Sequence, residues 1–394
     1  MDAAFHVDRQ YRSVEIKKQT IATTMNDERQ RIASIDVLRG LNMFLLVGLG
    51  PVVWQIYQVY PYGIAVVLNS QMTHYEGFGL HLFDMIFPTF LFLAGCSWPF
   101  SLSSQLAKGV TKRALLLKIV RRFLLLALLG AVLFGLPSFD ILHVRVNSIL
   151  GRIGFGWAVV AITTVLMPKR WWWVAFGLFV AYWLSFFVCG WIVLPKGGDP
   201  WAWGNGTNII EIFDTWIGKP NPDQYGNEGF YHDIGCICSA FVGYWAGLTL
   251  KRRDETSLRK AVKFLVGGGL LIVLGVMAWT YGLCPPSIAQ WNPTFILVSG
   301  GLDLVALGVL FLVVDVLRWQ DWTKFFVVMG ANALFIYVIG YFVSFEFCAH
   351  KFLCGIERVF LPAEMAPIVD CAGDFLIKWL ILLFMYQKRL FVRL

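Results

Sequence analysis

The sequence predicts an all-α polytopic membrane protein of about ten transmembrane helices, with both termini on the cytoplasmic side. Three observations lead there. Hydrophobic residues make up 58% of the 394 and charged residues only 15%, whereas a soluble chain carries about 25% charge. The apolar residues gather in runs of about 20, the length that crosses a bilayer as a helix. Lysine and arginine are dense in one set of loops and sparse in the other, as on the two sides of a membrane. The net charge of +8 follows that pattern and implies no nucleic-acid partner.

Taken in order, the apolar runs fall near 37–58, 84–105, 114–135, 149–167, 171–194, 233–250, 261–282, 294–317, 324–346 and 368–387. Only the turn Met167-Pro168-Lys169-Arg170 parts the fourth from the fifth. None alternates as a barrel strand would. Backbone polar groups in lipid must pair internally, so helices are what remain. Residues 1–30 are polar and read as a cytoplasmic tail without a cleavable signal peptide; residues 31–394 read as the transmembrane domain.

The basic loops hold Arg29, Arg31 and Arg39, then Lys108 to Arg122, Lys169 and Arg170, Lys251 to Lys263, Arg318 and Lys324, and Lys388, Arg389 and Arg393. The opposite loops hold Arg145, Lys196, Lys219, Lys351 and Arg358, and loop 59–83 holds none. Loop 59–83 and the larger loop at 195–232 are therefore expected outside. The eight cysteines show no CxxC pattern. Cys348 and Cys354 share an outward loop, where a disulfide is one reading.

Five of the six histidines, His74, His81, His143, His232 and His350, fall in expected outward loops or outer helix ends. Tryptophan and tyrosine gather there too, as interfacial belts do. His81, His143, His232 and His350 are expected as solvated or interfacial side chains. Their spacings match no zinc ligand pattern, so no metal is expected.

The stretch QMTHYEGFGLHLFDMIFP at 71–88 stands apart, with His74, Glu76, His81 and Asp84 at the mouth of a span. Asp84 either caps the helix it begins or orients a histidine, and ten residues of loop let His74 fold back to it. Ionisable or polar groups also lie within spans, where they are costly and by default functional. Arg152 is one, unless it snorkels to the outer headgroups. Asp303 and Asn332 are others. Lys378 can pair with Asp374 one turn earlier. The basic run Lys108, Lys112, Arg113, Lys118, Arg121 and Arg122 either anchors topology or attracts phosphates.

Three stretches carry a resemblance: SIDVLRGLNMFLLV at 34–47; His74, Gly79, Asp84 and Phe87-Pro88 followed by FLFLAG; and NSILGRIGFGW at 147–157. FFVVMGANALFIYV at 325–338, GNEG at 226–229 and QWNPTF at 290–295 add to them. Together they resemble the transmembrane N-acetyltransferases related to heparan-α-glucosaminide N-acetyltransferase and their bacterial relatives, from about residue 32 onward. Two departures stand out. Gly77 occupies a position where the family usually has Trp, and LVGLGP at 46–51 lacks an Asn that many relatives carry.

The resemblance implies transfer of acetyl from cytoplasmic acetyl-CoA to an amino sugar outside, by a membrane homodimer, here in a bacterial inner membrane among lipid. It makes His74 the catalytic residue with Asp84 in support. Glu76, Arg152 and Glu228 are then the expected substrate contacts, and Arg39, Lys112, Arg113, Arg121, Arg122 and Asn332 the expected contacts to acetyl-CoA. Two other readings compete. A polysaccharide O-acyltransferase also opens on LDxLRG, but that class ends its first span on a histidine, and GPVVWQIYQVY at 50–60 has none. A sugar transporter or permease would often show internal repeats or paired broken helices, and neither is visible in the sequence.

Overall fold

The regular elements are helices throughout the described residues, which in this computed structural model are 32–75, 77–135, 148–197, 201, 208–216 and 230–392. Glu76, His143 and Glu228 lie outside them. The first run forms α1 (Ala33–Phe44), which passes through a π turn at Leu45–Leu49 into α2 (Gly50–Val59). A short α3 (Ile64–Gln71) precedes the 3₁₀ turn Leu82–Met85, which feeds α4 (Ile86–Ala107). Then come α5 (Lys112–Gly135), α6 (Ile149–Leu166), α7 (Trp171–Val193), α8 (Ile209–Trp216), α9 (Asp233–Lys251) and α10 (Ser257–Thr280). The last group is α11 (Pro293–Leu310), α12 (Thr323–Ala331), α13 (Ala333–Phe342), α14 (Phe345–Phe360) and α15 (Ala366–Gln387).

Seven helical stretches among the described residues are long and apolar enough to cross a membrane, and the bent pair α12–α13 makes up to eight. The chain is a polytopic membrane protein on this count. α5 and α15 fall on two further expected runs but carry more charge, Lys118, Arg121 and Arg122 in one and Asp370, Asp374 and Lys378 in the other. The ninth run is not the single rod expected at 324–346. It breaks at Asn332, whose φ of −129° leaves the helical region, and the two halves meet at 65°. Beyond it the expected outward loop is largely helix, α14.

Local signals explain several helix starts. Ser148, Thr256 and Asn292 each accept a backbone N–H three residues on, as N-caps do, and Pro293 occupies the first turn, where its missing N–H costs nothing. One core joins α4, α6 and α9 through Trp98, Trp157, Phe241 and Tyr244. Another joins α1, α12 and α15 through Met43, Val328, Met329 and Leu382. Many leucines, valines and tryptophans of α7 and α10 stay exposed, a surface suited to lipid.

Candidate functional site

The two side chains that the sequence set ten residues apart meet. His74 Nδ1 lies 2.7 Å from Asp84 Oδ1, with the imidazole half exposed and the carboxylate fully buried. The 3₁₀ turn produces this. His81 is its N-cap, and Asp84, three residues on, returns Oδ2 to the His81 N–H at 2.8 Å and to the Tyr75 N–H at 3.3 Å. Cap and histidine orienter are thus one carboxylate, each oxygen serving one role. The His74 ring stands edge-on to Phe83, centroids 5.0 Å apart.

A carboxylate only accepts, so Nδ1 carries the proton and donates. Nε2 then holds a lone pair, and no hydrogen bond engages it among the described residues. Such an imidazole can take a proton or attack a carbonyl carbon. His81, expected as a solvated or interfacial side chain, is partly buried. Its Nδ1–H donates to the Thr73 carbonyl at 3.0 Å, which closes the loop on itself.

α4 leads from this dyad to a cationic end. Ser97 is 13 residues beyond Asp84, roughly 20 Å along a helix. Its hydroxyl accepts from Arg39 Nη2 at 3.3 Å, while Arg39 Nη1 donates to Asp36 at 3.0 Å. The Arg122 guanidinium lies 4.4 Å from the centre of the Trp157 ring, which meets Trp98, the residue after Ser97, edge-on at 5.4 Å. Arg122 has no carboxylate partner among the described residues. Arg39, on Ser97, and Arg122, on the ring that packs against Trp98, thus lie at the same level of α4. Lys112 and Arg113 are exposed at the start of α5, about two and a half turns away, and do not join them; Arg121 and Arg122 are both exposed.

Asn332 is buried, and its amide is engaged by the C-terminal segment, donating to the Leu390 carbonyl at 2.9 Å and accepting the Val392 N–H at 3.0 Å. Arg152 does not snorkel: it is 3% exposed, with Nε 3.5 Å from Asp233 Oδ1. His232, expected at an interface, is 1% exposed beside the same carboxylate. Burial, and then the Arg152 guanidinium, push its imidazolium well below the usual range. Cys348 and Cys354 are free thiols, both on α14; six residues along one helix separate them by about 9 Å of rise, beyond the reach of a disulfide. His350 lies on the same helix, half exposed, with Nδ1 2.9 Å from Asp370. Lys378 pairs with Asp374 at 2.6 Å, as the i, i+4 spacing implies.

The sequence reading passed over Asn42. It is buried in α1 and donates to the Ile86 carbonyl at 2.7 Å, two residues beyond Asp84. An amide inside an apolar run is the signal that marks it.

Comparison with known proteins finds distant sequence similarity. A family profile described as "Domain of unknown function (DUF5009)" matches residues 31–145, the segment holding Arg39, His74, Asp84 and Arg122. Mouse heparan-alpha-glucosaminide N-acetyltransferase is 25% identical over 423 aligned positions, covering 93% of this chain and 61% of the mouse protein. The human protein of the same name is 24% identical, covering 78% of this chain and 52% of its own length. The chain thus spans between half and two thirds of the length of these curated relatives. It is a polytopic membrane protein and, over most of its length, a distant relative of the heparan-alpha-glucosaminide N-acetyltransferases.

Proposed function

We propose that the chain is a transmembrane N-acetyltransferase that takes acetyl from cytoplasmic acetyl-CoA and delivers it to an amino sugar on the outer, periplasmic side of a bacterial inner membrane. The observation that carries this reading is the His74–Asp84 contact of 2.7 Å with Nε2 left open, at the opposite end of α4 from Arg39 and Arg122. A sugar ammonium gives one proton to Nε2. The freed amine attacks the thioester carbonyl carbon, the C–N bond forms, the C–S bond breaks, and the thiolate leaves and takes up the second amine proton. In the alternative order Nε2 attacks the thioester carbonyl first, the C–S bond breaks and the thiolate leaves, and the amine then attacks the acyl-imidazole, breaking its C–N bond and returning the lone pair to Nε2. At the other end, Arg39 and Arg122 suit the pyrophosphate and 3′-phosphate of CoA, since guanidinium binds such groups by charge-assisted hydrogen bonds. Arg152 beside Asp233, with Glu76 and Glu228, remains our assignment for the acceptor, and a homodimer our expectation for the assembly.

The test is purified His74→Ala protein with acetyl-CoA and glucosamine. Acetyl-CoA binding is expected to persist while N-acetylation falls by at least about 10²–10⁴-fold, the worth of a general base. Turnover near wild type in folded protein would remove the catalytic assignment. Arg122→Gln is expected to raise the KM for acetyl-CoA roughly tenfold and leave the glucosamine KM unchanged, as loss of one charge-assisted contact does; equal KM values would return the basic run to topology alone. Brief quenching with radiolabelled acetyl-CoA separates the two orders, because only the second leaves label on protein that His74→Ala lacks.

A further inference from the structure

Asp303 on α11 is 2% exposed and far from any loop. Thr89 on α4 donates its hydroxyl to Oδ1 at 2.6 Å, and the same hydroxyl lies 2.7 Å from the Met85 carbonyl. The other carboxyl oxygen, Oδ2, is buried without a hydrogen-bond partner. No cation lies within ion-pair distance of it among the described residues. A buried polar atom left in this state is unfavourable, and a native structure keeps few of them.

Position says what completes it. Thr89 is five residues beyond Asp84 and eight before Ser97, so it lies roughly 8 Å from the dyad and 12 Å from the Arg39 contact along α4. Asp303 is therefore beside the helix that joins the two functional ends, and between them. Three other buried or partly buried polar side chains of α1, α11 and the broken span are engaged: Asn42 by the Ile86 carbonyl, Ser299 by the Phe295 carbonyl, Asn332 by the C-terminal segment.

The arm of CoA that must reach from the arginines to His74 bears two secondary amides. Each amide N–H that leaves water needs an acceptor, or burial costs it a hydrogen bond. We propose that Asp303, held by Thr89, is a binding residue for the acyl donor, its open Oδ2 accepting an amide N–H of the CoA arm. The assignment rests on the acetyl-CoA reading above.

The experiment uses full-length protein in detergent or nanodiscs, with CoA as the probe. Asp303→Asn keeps the size and the Thr89 contact but presents an NH₂ where the acceptor was. It is expected to weaken the Kd for CoA about tenfold or more and to remove most of the thermal stabilisation that CoA gives, while the melting temperature without CoA does not fall. Thr89→Val, close in size, is expected to weaken CoA binding less and in the same way. An unchanged CoA Kd in Asp303→Asn overturns the proposal, and so does a lowered melting temperature with CoA binding intact, which would mark a packing role or a trapped water. Wild-type protein that binds no CoA at all would instead defeat the acetyltransferase reading, before any variant is made.

Discussion

Asp84 gives one oxygen to the turn and the other to His74, and one substitution separates the two. In Asp84→Asn the side-chain carbonyl can still accept from the His81 and Tyr75 N–H groups, which now use Oδ2. The NH₂ then faces His74 Nδ1 and donates to it. That fixes the other tautomer, with the proton on Nε2 and no lone pair there for a base or nucleophile. Initial rates are expected to fall by about 10²–10⁴-fold with the melting temperature nearly unchanged. Asp84→Ala loses the cap as well, worth about 1 kcal/mol, and so is expected to melt earlier. A full rate in Asp84→Asn would mean that the carboxylate serves only the turn. At this scale the dyad was legible in the sequence because its chemistry lies in one short stretch, 74–84. The burial of His232 was not, because it depends on helices brought together from α6 and α9, and composition treats a residue before a helix as an interfacial one.

At the scale of the element, a broken helix departs most from the sequence reading. Residues 324–346 are evenly apolar, and hydropathy averages over them without registering that one side chain can replace a ladder. Asn332 does so, giving and taking a hydrogen bond with residues 390 and 392, 58 and 60 positions away. No local pattern contains such a contact. The half-helix before the break, α12, sits against α1 so closely that a Cβ at Gly40 would overlap the Phe326 carbonyl, and one at Gly330 would crowd the Asp36 carbonyl. Gly40 follows Arg39 in the chain, so this crossing also sets where that guanidinium lies. Gly40→Ala is expected to cost about 1–3 kcal/mol by overpacking, seen as a lower melting temperature, and to raise the KM for acetyl-CoA while leaving kcat at saturation near wild type. An unchanged KM alongside the lost stability would separate the crossing from the binding of the acyl donor.

Across the whole molecule, the ten apolar runs each correspond to a helix or, in one case, a broken pair. The alternation of charge gives them a direction that the packed helices alone do not. If dense lysine and arginine mark the cytoplasm, the Arg39–Arg122 end faces acetyl-CoA and the His74–Asp84 end faces the exterior. The proposed transfer across the membrane requires that arrangement, and inversion would put the histidine in the wrong compartment for it. Single cysteines test it. Cys348 and Cys354 are partly exposed and on the orientation proposed would react from outside, so both are first replaced by serine. Ser70→Cys, in the loop before His74, is then expected to react with a membrane-impermeant maleimide in intact cells. Lys108→Cys, between α4 and α5, is expected to react only after permeabilisation. The reverse pattern would turn the molecule over and take the proposed direction of acetyl transfer with it; labelling of both sites in intact cells would mean that the segment from Asp84 to Ala107 does not cross the membrane, and the path between the two ends of α4 would lose its physical basis.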